Sequence, residues 1–457
     1  MDGPAIVNDL DDYLDVLGQQ PLLKIYTQIC FCSSVADASS HSAIVNTLTT
    51  GLERLSASFP WIAGKVVNEG SDEGNTGIFK IKPLEKIPRL VVKDLRHDPS
   101  IPTMDALRRA NFPISMLDEN IIAPRKTLPG SSDESASEVF LVQANFITGG
   151  LLLTFVGQHQ TMDMTGQSQI IDLFSKACHN EQFTSEELSS GNLARHNLIP
   201  LLDDSYRPGS ELARQIVKPT PSHRNPAPPP SPKCTWAYFT FPHLAHRSEI
   251  TRHKNHHPPL RLHLHRRRPQ RLYMAIRHPR SPPRLSPTAE STFARAVDVR
   301  RYLDIPQTYP GLVQNMAYHT YTLQKLVEEP LGGIASQLRS ALDPKTSNLG
   351  HHTRALATFL NRSPDKNVIS FTATLDLSAD IMLSSWAKLD CYELDFNLGL
   401  AKPEAVRRPR FDPVESLIYL MPRTLDGEIA VAICLRDEDM ERLRADEEFA
   451  KYARYVG

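Results

Sequence analysis

The chain has 457 residues, 40% of them hydrophobic, enough for two cores of ordinary domain size, since single cores rarely grow past roughly 250 to 300 residues. A net charge of −1 supplies no global basic field, which argues against nucleic acid or an anionic membrane as the main partner. No basic and apolar leader follows Met1, no stretch approaches the ~18 apolar residues of a membrane span, and six scattered cysteines show no CxxC spacing; we expect a soluble cytoplasmic protein with no metal.

Ile44, Leu48, Leu52 and Leu55 recur at helical spacing before Phe59-Pro60-Trp61, which predicts an amphipathic helix stopped by proline. Apolar runs at 78–81 and 140–146 predict strands, and Leu151 to Val156 predicts a buried one. His159 and Asp163 then form an HxxxD pattern just where that strand surfaces. A histidine there suits general-base chemistry near neutral pH, because a rigid strand fixes it and an acidic residue lies close by. From about Gly166 to Cys178 a helix is predicted, with Ile170, Ile171, Leu173 and Phe174 inward. Cys178-His179 invites a thiol-hydrolase reading, but neighbours on a helix point about 100° apart and cannot readily share a proton.

Beyond this helix the pattern breaks. Asn225 to Pro232 is proline-rich, so it predicts a stiff extended linker. We divide the chain into an N-terminal domain over 1–218, a linker over 219–235 and a C-terminal domain over 236–457. His243 to Leu285 holds eight of the 17 histidines and ten arginines against one acid, Glu249, with no apolar period. A basic patch or a disordered insertion would fit that composition. Further on come Ser384-Ser385-Trp386, then Asp395-Phe396-Asn397-Leu398-Gly399, then Lys402-Pro403.

HxxxD with a late SW and DFxxG resembles the BAHD acyltransferases. The runs Tyr309 to Met316, Met382 to Lys388 and Lys402 to Pro409 narrow this to a resemblance to the fungal trichothecene 3-O-acetyltransferases. It implies an α/β fold of the two-domain, CoA-dependent, chloramphenicol acetyltransferase-like kind: mixed sheets flanked by helices, with an active-site tunnel between the domains. It also implies acetyl-CoA as co-substrate, a trichothecene alcohol as acceptor and a monomer. By the resemblance His159 is the base, and Asp163 points away from substrate to an arginine of the other domain, Arg300, with Arg301 as the alternative. Ser384 and Trp386 line the acceptor pocket, where a hydroxyl can donate to the oxyanion; Asp395 and Gly399 are architectural. Asn397 stands where the family has glycine, which puts a φ > 0 requirement there in question. Lys402, Arg407 and Arg408 are candidates for charge near the CoA phosphates, with a solvated basic face as the plainer reading.

The same resemblance gives the His/Arg-rich stretch a bland explanation. Back-translated and read one nucleotide later, its codons can yield the TDDALxAxxW block usual in the family, and Met274-Ala275 forces its tryptophan. Compensating indels near Pro242 and Pro283 account for this, so its histidines are not read as metal ligands. We expect the stretch to be exposed or poorly ordered, and an inactive relative is the competing reading of the chain as written.

Overall fold

The computed structural model describes residues 13–36, 40–130, 137–218, 232–242 and 285–457. Most of the proline-rich linker and all of the His/Arg-rich stretch except Leu285 lie outside them. Within the described residues, the N-terminal half contributes β1 (Tyr26–Ser34), β2 (Gly64–Glu69), β3 (Ile78–Pro83), β4 (Arg89–Asp94), β5 (Phe140–Ile147) and β6 (Gly150–Gln158). The C-terminal half contributes β7 (Cys234–Phe241), β8 (Glu290–Asp298), β9 (Gln314–Thr322), β10 (Ile381–Ser385), β11 (Ala405–Arg407), β12 (Leu417–Arg423), β13 (Ile429–Arg436) and β14 (Arg454–Tyr455).

Two mixed sheets carry the fold. The first runs β11-β1-β6-β5-β4, antiparallel except for the parallel β4–β5 pair. The second runs β14-β7-β13-β12-β10-β8-β9, with β10 parallel to both neighbours. Every residue of β5 and β6 is buried, so both are rich in apolar residues; in β5 the run is broken by the buried Gln143 and Asn145, where Gln143 Nε2 donates to Asn145 Oδ1 at 2.7 Å. β11 is the exception to a simple division, because it comes from the C-terminal half yet pairs antiparallel with β1, placing Phe31 opposite Val406.

The predicted helix around Ile44 spans His41–Ser58, and its four apolar positions are buried. It packs beside the helix Met164–Cys178, where Gly51 is required: a Cβ there would meet Cys178 Sγ at 2.4 Å. The Met164–Cys178 helix begins two residues earlier than its apolar period suggests, because Asp163 caps it by accepting from Gly166 N at 2.7 Å. Among the described residues no helix is long and apolar enough to cross a membrane.

The far end of that helix meets the DFNLG loop. Asn397 Nδ2 donates to the carbonyl of Cys178 at 3.1 Å, and His179 Nε2 lies 2.6 Å from Asp395 Oδ1. Phe396 is buried against Phe31, Phe155 and Phe174. Asn397 keeps a positive φ of 52°, so the left-handed requirement survives the loss of glycine. Asparagine is among the few other residues that visit this region, and its side chain adds a bond that glycine lacks. Asn397→Ala removes that bond and keeps the strain, so we expect it to cost about 1 to 2 kcal/mol, against a smaller loss for Asn397→Gly. Denaturant melts of the two variants check the order.

Candidate active site

The turn after β6 is fixed by backbone and glutamine hydrogen bonds that do not involve the imidazole. His159 N donates to Ile25 O at 2.8 Å, and Gln160 Nε2 donates to Gly18 O at 3.0 Å. With Gln158 and Gln160 both buried and bonded to each other, the alternation of the turn puts His159 alone into the cavity. That cavity has a volume of about 280 Å³ and is walled by residues of both sheets, including His159, Gln314, Ser384, Trp386 and Arg408.

His159 Nδ1 lies 3.0 Å from Met162 O. A carbonyl oxygen only accepts, so the proton of the neutral ring sits on Nδ1 and the lone pair of Nε2 faces the cavity. Burial holds the imidazole below its ordinary pKa of 6.5, and the Arg408 guanidinium adds to this, against opposing pulls from the Met162 carbonyl and Asp163. The ring is therefore a neutral base at physiological pH. A base role for His159 predicts an acidic limb of kcat/KM with its midpoint below pH 6.5, where the ring becomes protonated. An acidic limb with its midpoint above pH 6.5 would contradict this.

Asp163 points away from the cavity. Arg300 meets it with two parallel bonds, Nη1 to Oδ2 at 2.9 Å and Nη2 to Oδ1 at 3.1 Å. All five N–H groups of Arg300 are used, the others on Asp298 Oδ1, Tyr309 O and Gly311 O. Its side chain is 0% exposed, a burial that only complete pairing tolerates. Arg301 instead bonds Tyr302 and the Leu342 carbonyl on the surface. Gly166 lets the helix start approach this loop, where a Cβ would come within 2.2 Å of Pro310 O.

A second buried carboxylate grips the same loop. Asp15 accepts from Tyr309 Oη at 2.5 Å, from Leu312 N at 3.1 Å and from Arg195 at 3.2 Å, while Val313 N donates to Asp163 at 2.8 Å. Two successive peptide groups are thus held by two carboxylates from the other half of the chain. Arg195 also donates to Thr161 O at 2.8 Å, inside the HxxxD turn. Sequence reasoning assigned no role to Asp15 or Arg195: Asp15 lies in the family-like start Tyr13 to Gly18, but its partners Arg195, Tyr309 and Leu312 are far off in the chain.

Ser384, at the end of β10, and Trp386 both line the cavity, and the indole N–H donates to Ser384 Oγ at 3.0 Å. The hydroxyl proton of Ser384 is left free to donate. Trp386, Phe411 and Tyr419 surround the Arg408 guanidinium, with its carbon 4.5 Å from the Phe411 and Tyr419 ring centres. Arg408 and Arg407 are both buried, which corrects the reading of a solvated basic face. Arg407 instead donates to Phe112 O and faces the Tyr238 ring, and Lys402 pairs with Glu393. Asp395 and Gly399 lie at the far end of the helix from this cavity; Gly399 has a φ of 69°. The thiol alternative fails on geometry: Cys178 is buried, its thiol is pushed up to about 12 by burial, and His179 is engaged by Asp395.

Comparison with known proteins agrees with this architecture. A model of the trichothecene 3-O-acetyltransferase-like N-terminal domain matches residues 25–178, and one of the transferase family matches 275–450. The chain is 60% identical over 459 residues to the O-acetyltransferase dmxR13 of Cryptosporiopsis sp., covering 100% of both. It is 51% identical to the trichothecene 3-O-acetyltransferase TRI101 of Fusarium sporotrichioides, covering 98% of this chain and 97% of that one. The crystal structure of F. graminearum TRI101 complexed with coenzyme A and deoxynivalenol superimposes with a TM-score of 0.89 at 46% identity, covering 98% and 99% of the two chains. With two mixed sheets, a shared cavity and full-length identity well above the level of fold likeness alone, the chain belongs to the trichothecene 3-O-acetyltransferase family of O-acetyltransferases.

Proposed function

We propose that the chain transfers the acetyl group of acetyl-CoA to the C-3 hydroxyl of a trichothecene, with His159 as the general base, a reaction that would serve toxin biosynthesis or self-protection. The observation that carries this reading is the Nε2 lone pair of a neutral, half-buried histidine facing a cavity shared by both sheets. The acceptor O–H gives its proton to Nε2 as its oxygen attacks the thioester carbonyl carbon. Ser384 donates to the oxyanion that forms, oriented by the Trp386 N–H. The C–S bond then breaks, and the imidazolium returns its proton to the CoA thiolate. Asp163 and Arg300 take no part in the proton transfer; they hold the His159 turn against the 309–313 loop. The cavity, at about 280 Å³ and largely apolar in its lining, is close to the lower end of small-molecule sites and suits a compact, mostly apolar alcohol.

A second acceptor reading rests on one observation: identity to dmxR13, 60%, exceeds that to TRI101 of F. sporotrichioides, 51%. Another alcohol would then be the natural acceptor. Purified protein with acetyl-CoA and deoxynivalenol, followed by mass spectrometry for a mono-acetyl product, separates the two. Acetylation at C-3 supports the first reading, and turnover of other alcohols with none of deoxynivalenol supports the second. The frame-shift reading of His243 to Leu285 is part of this proposal, resting on the tryptophan that the Met274-Ala275 codons yield when read one nucleotide later. Sequencing the transcript across Phe241 to Pro287 tests it, and inactivity of the chain as written would follow if the stretch is genuine.

A further inference from the structure

Resting on the assignment of His159 as base, we propose that Gln314 is the residue that holds the acceptor hydroxyl, its carboxamide N–H donating to the alcohol oxygen while that oxygen's own proton points at His159.

Gln314 opens β9, directly after the two peptide groups clamped by Asp15 and Asp163. Its backbone therefore has little freedom relative to the HxxxD turn. Its side chain lines the cavity, and Nε2 lies 3.3 Å from His159 Nε2. Because Met162 O fixes the proton on Nδ1, the contact at Nε2 must be donation from the carboxamide into the ring lone pair. Gln314 thus occupies the place where the acceptor proton has to arrive.

An alcohol oxygen has one proton and two lone pairs. In the attacking geometry the proton goes to His159 Nε2, one lone pair goes to the thioester carbon, and the other is left to accept. Gln314 is the donor already stationed at that point. With ordinary bond lengths of about 2.8 to 2.9 Å and a near-tetrahedral oxygen, the two nitrogens must stand roughly 4.6 Å apart. The carboxamide therefore swings back by roughly 1 Å on acceptor binding, exchanging the imidazole for the hydroxyl without losing a bond. Atoms balance as before: the O–C bond forms, the C–S bond breaks, and the proton passes through Nε2 to the thiolate. Gln314 neither gains nor loses a proton.

The test uses the full chain with acetyl-CoA and deoxynivalenol, and His159→Ala is assayed in parallel. Gln314→Leu should lower kcat/KM for the acceptor by about tenfold to 100-fold, with KM for acetyl-CoA and the melting temperature little changed. Gln314→Glu places a carboxylate beside the imidazole and should move the acidic limb of the profile up by about one pH unit or more, a shift that a merely structural role would not produce. A Leu variant with the acceptor kcat/KM of the parent, or a Glu variant with an unmoved limb, overturns the assignment of Gln314. If His159→Ala itself keeps full activity, the base assignment has failed instead, so the two failures are told apart.

Discussion

His159→Ala is expected to lower kcat by about 10² to 10⁴ while leaving the melting temperature almost unchanged. The stability half follows from the bonding of the turn. Its backbone is held by His159 N on Ile25 O, and its flanks by Gln158 and Gln160, none of which uses the imidazole. The ring itself contributes one bond to Met162 O and one contact with Gln314. The kinetic half follows because, among the described residues of the cavity wall, only His159 ordinarily accepts a proton near pH 7. Single-turnover acetyl transfer, with circular dichroism melts on the same samples, measures both. Wild-type transfer by the alanine variant would remove His159 from the mechanism.

The opposite balance is expected for the pair behind it. Arg300→Met leaves Asp163 buried without its charge partner and strips donors from Tyr309 O and Gly311 O, so a loss of about 3 to 5 kcal/mol is expected. Asp163→Asn should also lose stability, since it weakens the helix cap, the Val313 contact and the ion pair together. In a double-mutant cycle the two should couple by about 1 to 3 kcal/mol, read from denaturant midpoints. Additive losses would deny that the pair acts as a unit. Exchanging the two charges should rescue nothing, because a carboxylate at 300 would face Asp298 and two carbonyl oxygens. Arg300→Lys is likewise no conservative change, with three donors where five are used.

Much of the first sheet could be read directly. Strands buried on both faces leave apolar-rich runs, and β5 and β6 fall within one or two residues of the runs at 140–146 and 151–156, despite Gln143, Asn145 and Thr154 within them. The His159, Asp163 and Arg300 constellation was available from motif and resemblance together. Roles for Asp15, Arg195 and Gln314 were not, although Gln314 stands in the family-like run Tyr309 to Met316, because a carboxylate gripping a peptide group some 297 residues away, as Asp15 grips Leu312, leaves no local spacing to detect. Arg407 and Arg408 failed for another reason. Consecutive arginines beside a lysine read as a solvated face, and only the aromatic rings gathered from 386, 411 and 419 show how Arg408 is buried. The helix boundary was set by a cap rather than by apolar period, which is why it began at Met164 and not Gly166.

The three residues of β11 have a consequence for how the protein is made. Cys30, Phe31 and Cys32 pair with Arg407, Val406 and Ala405, so the first sheet stays open along β1 until residue 407 of 457 has been synthesised. From the end of β6 at residue 158, when β1 can first pair, to residue 407 that delay is roughly 12 to 50 s at about 5 to 20 residues per second. During it a nascent chain presents an apolar edge strand with unpaired amides, the kind of surface that recruits other strands. A message that lost its frame midway and never regained it would therefore damage both halves, leaving the N-terminal sheet without its last strand however intact its own codons were.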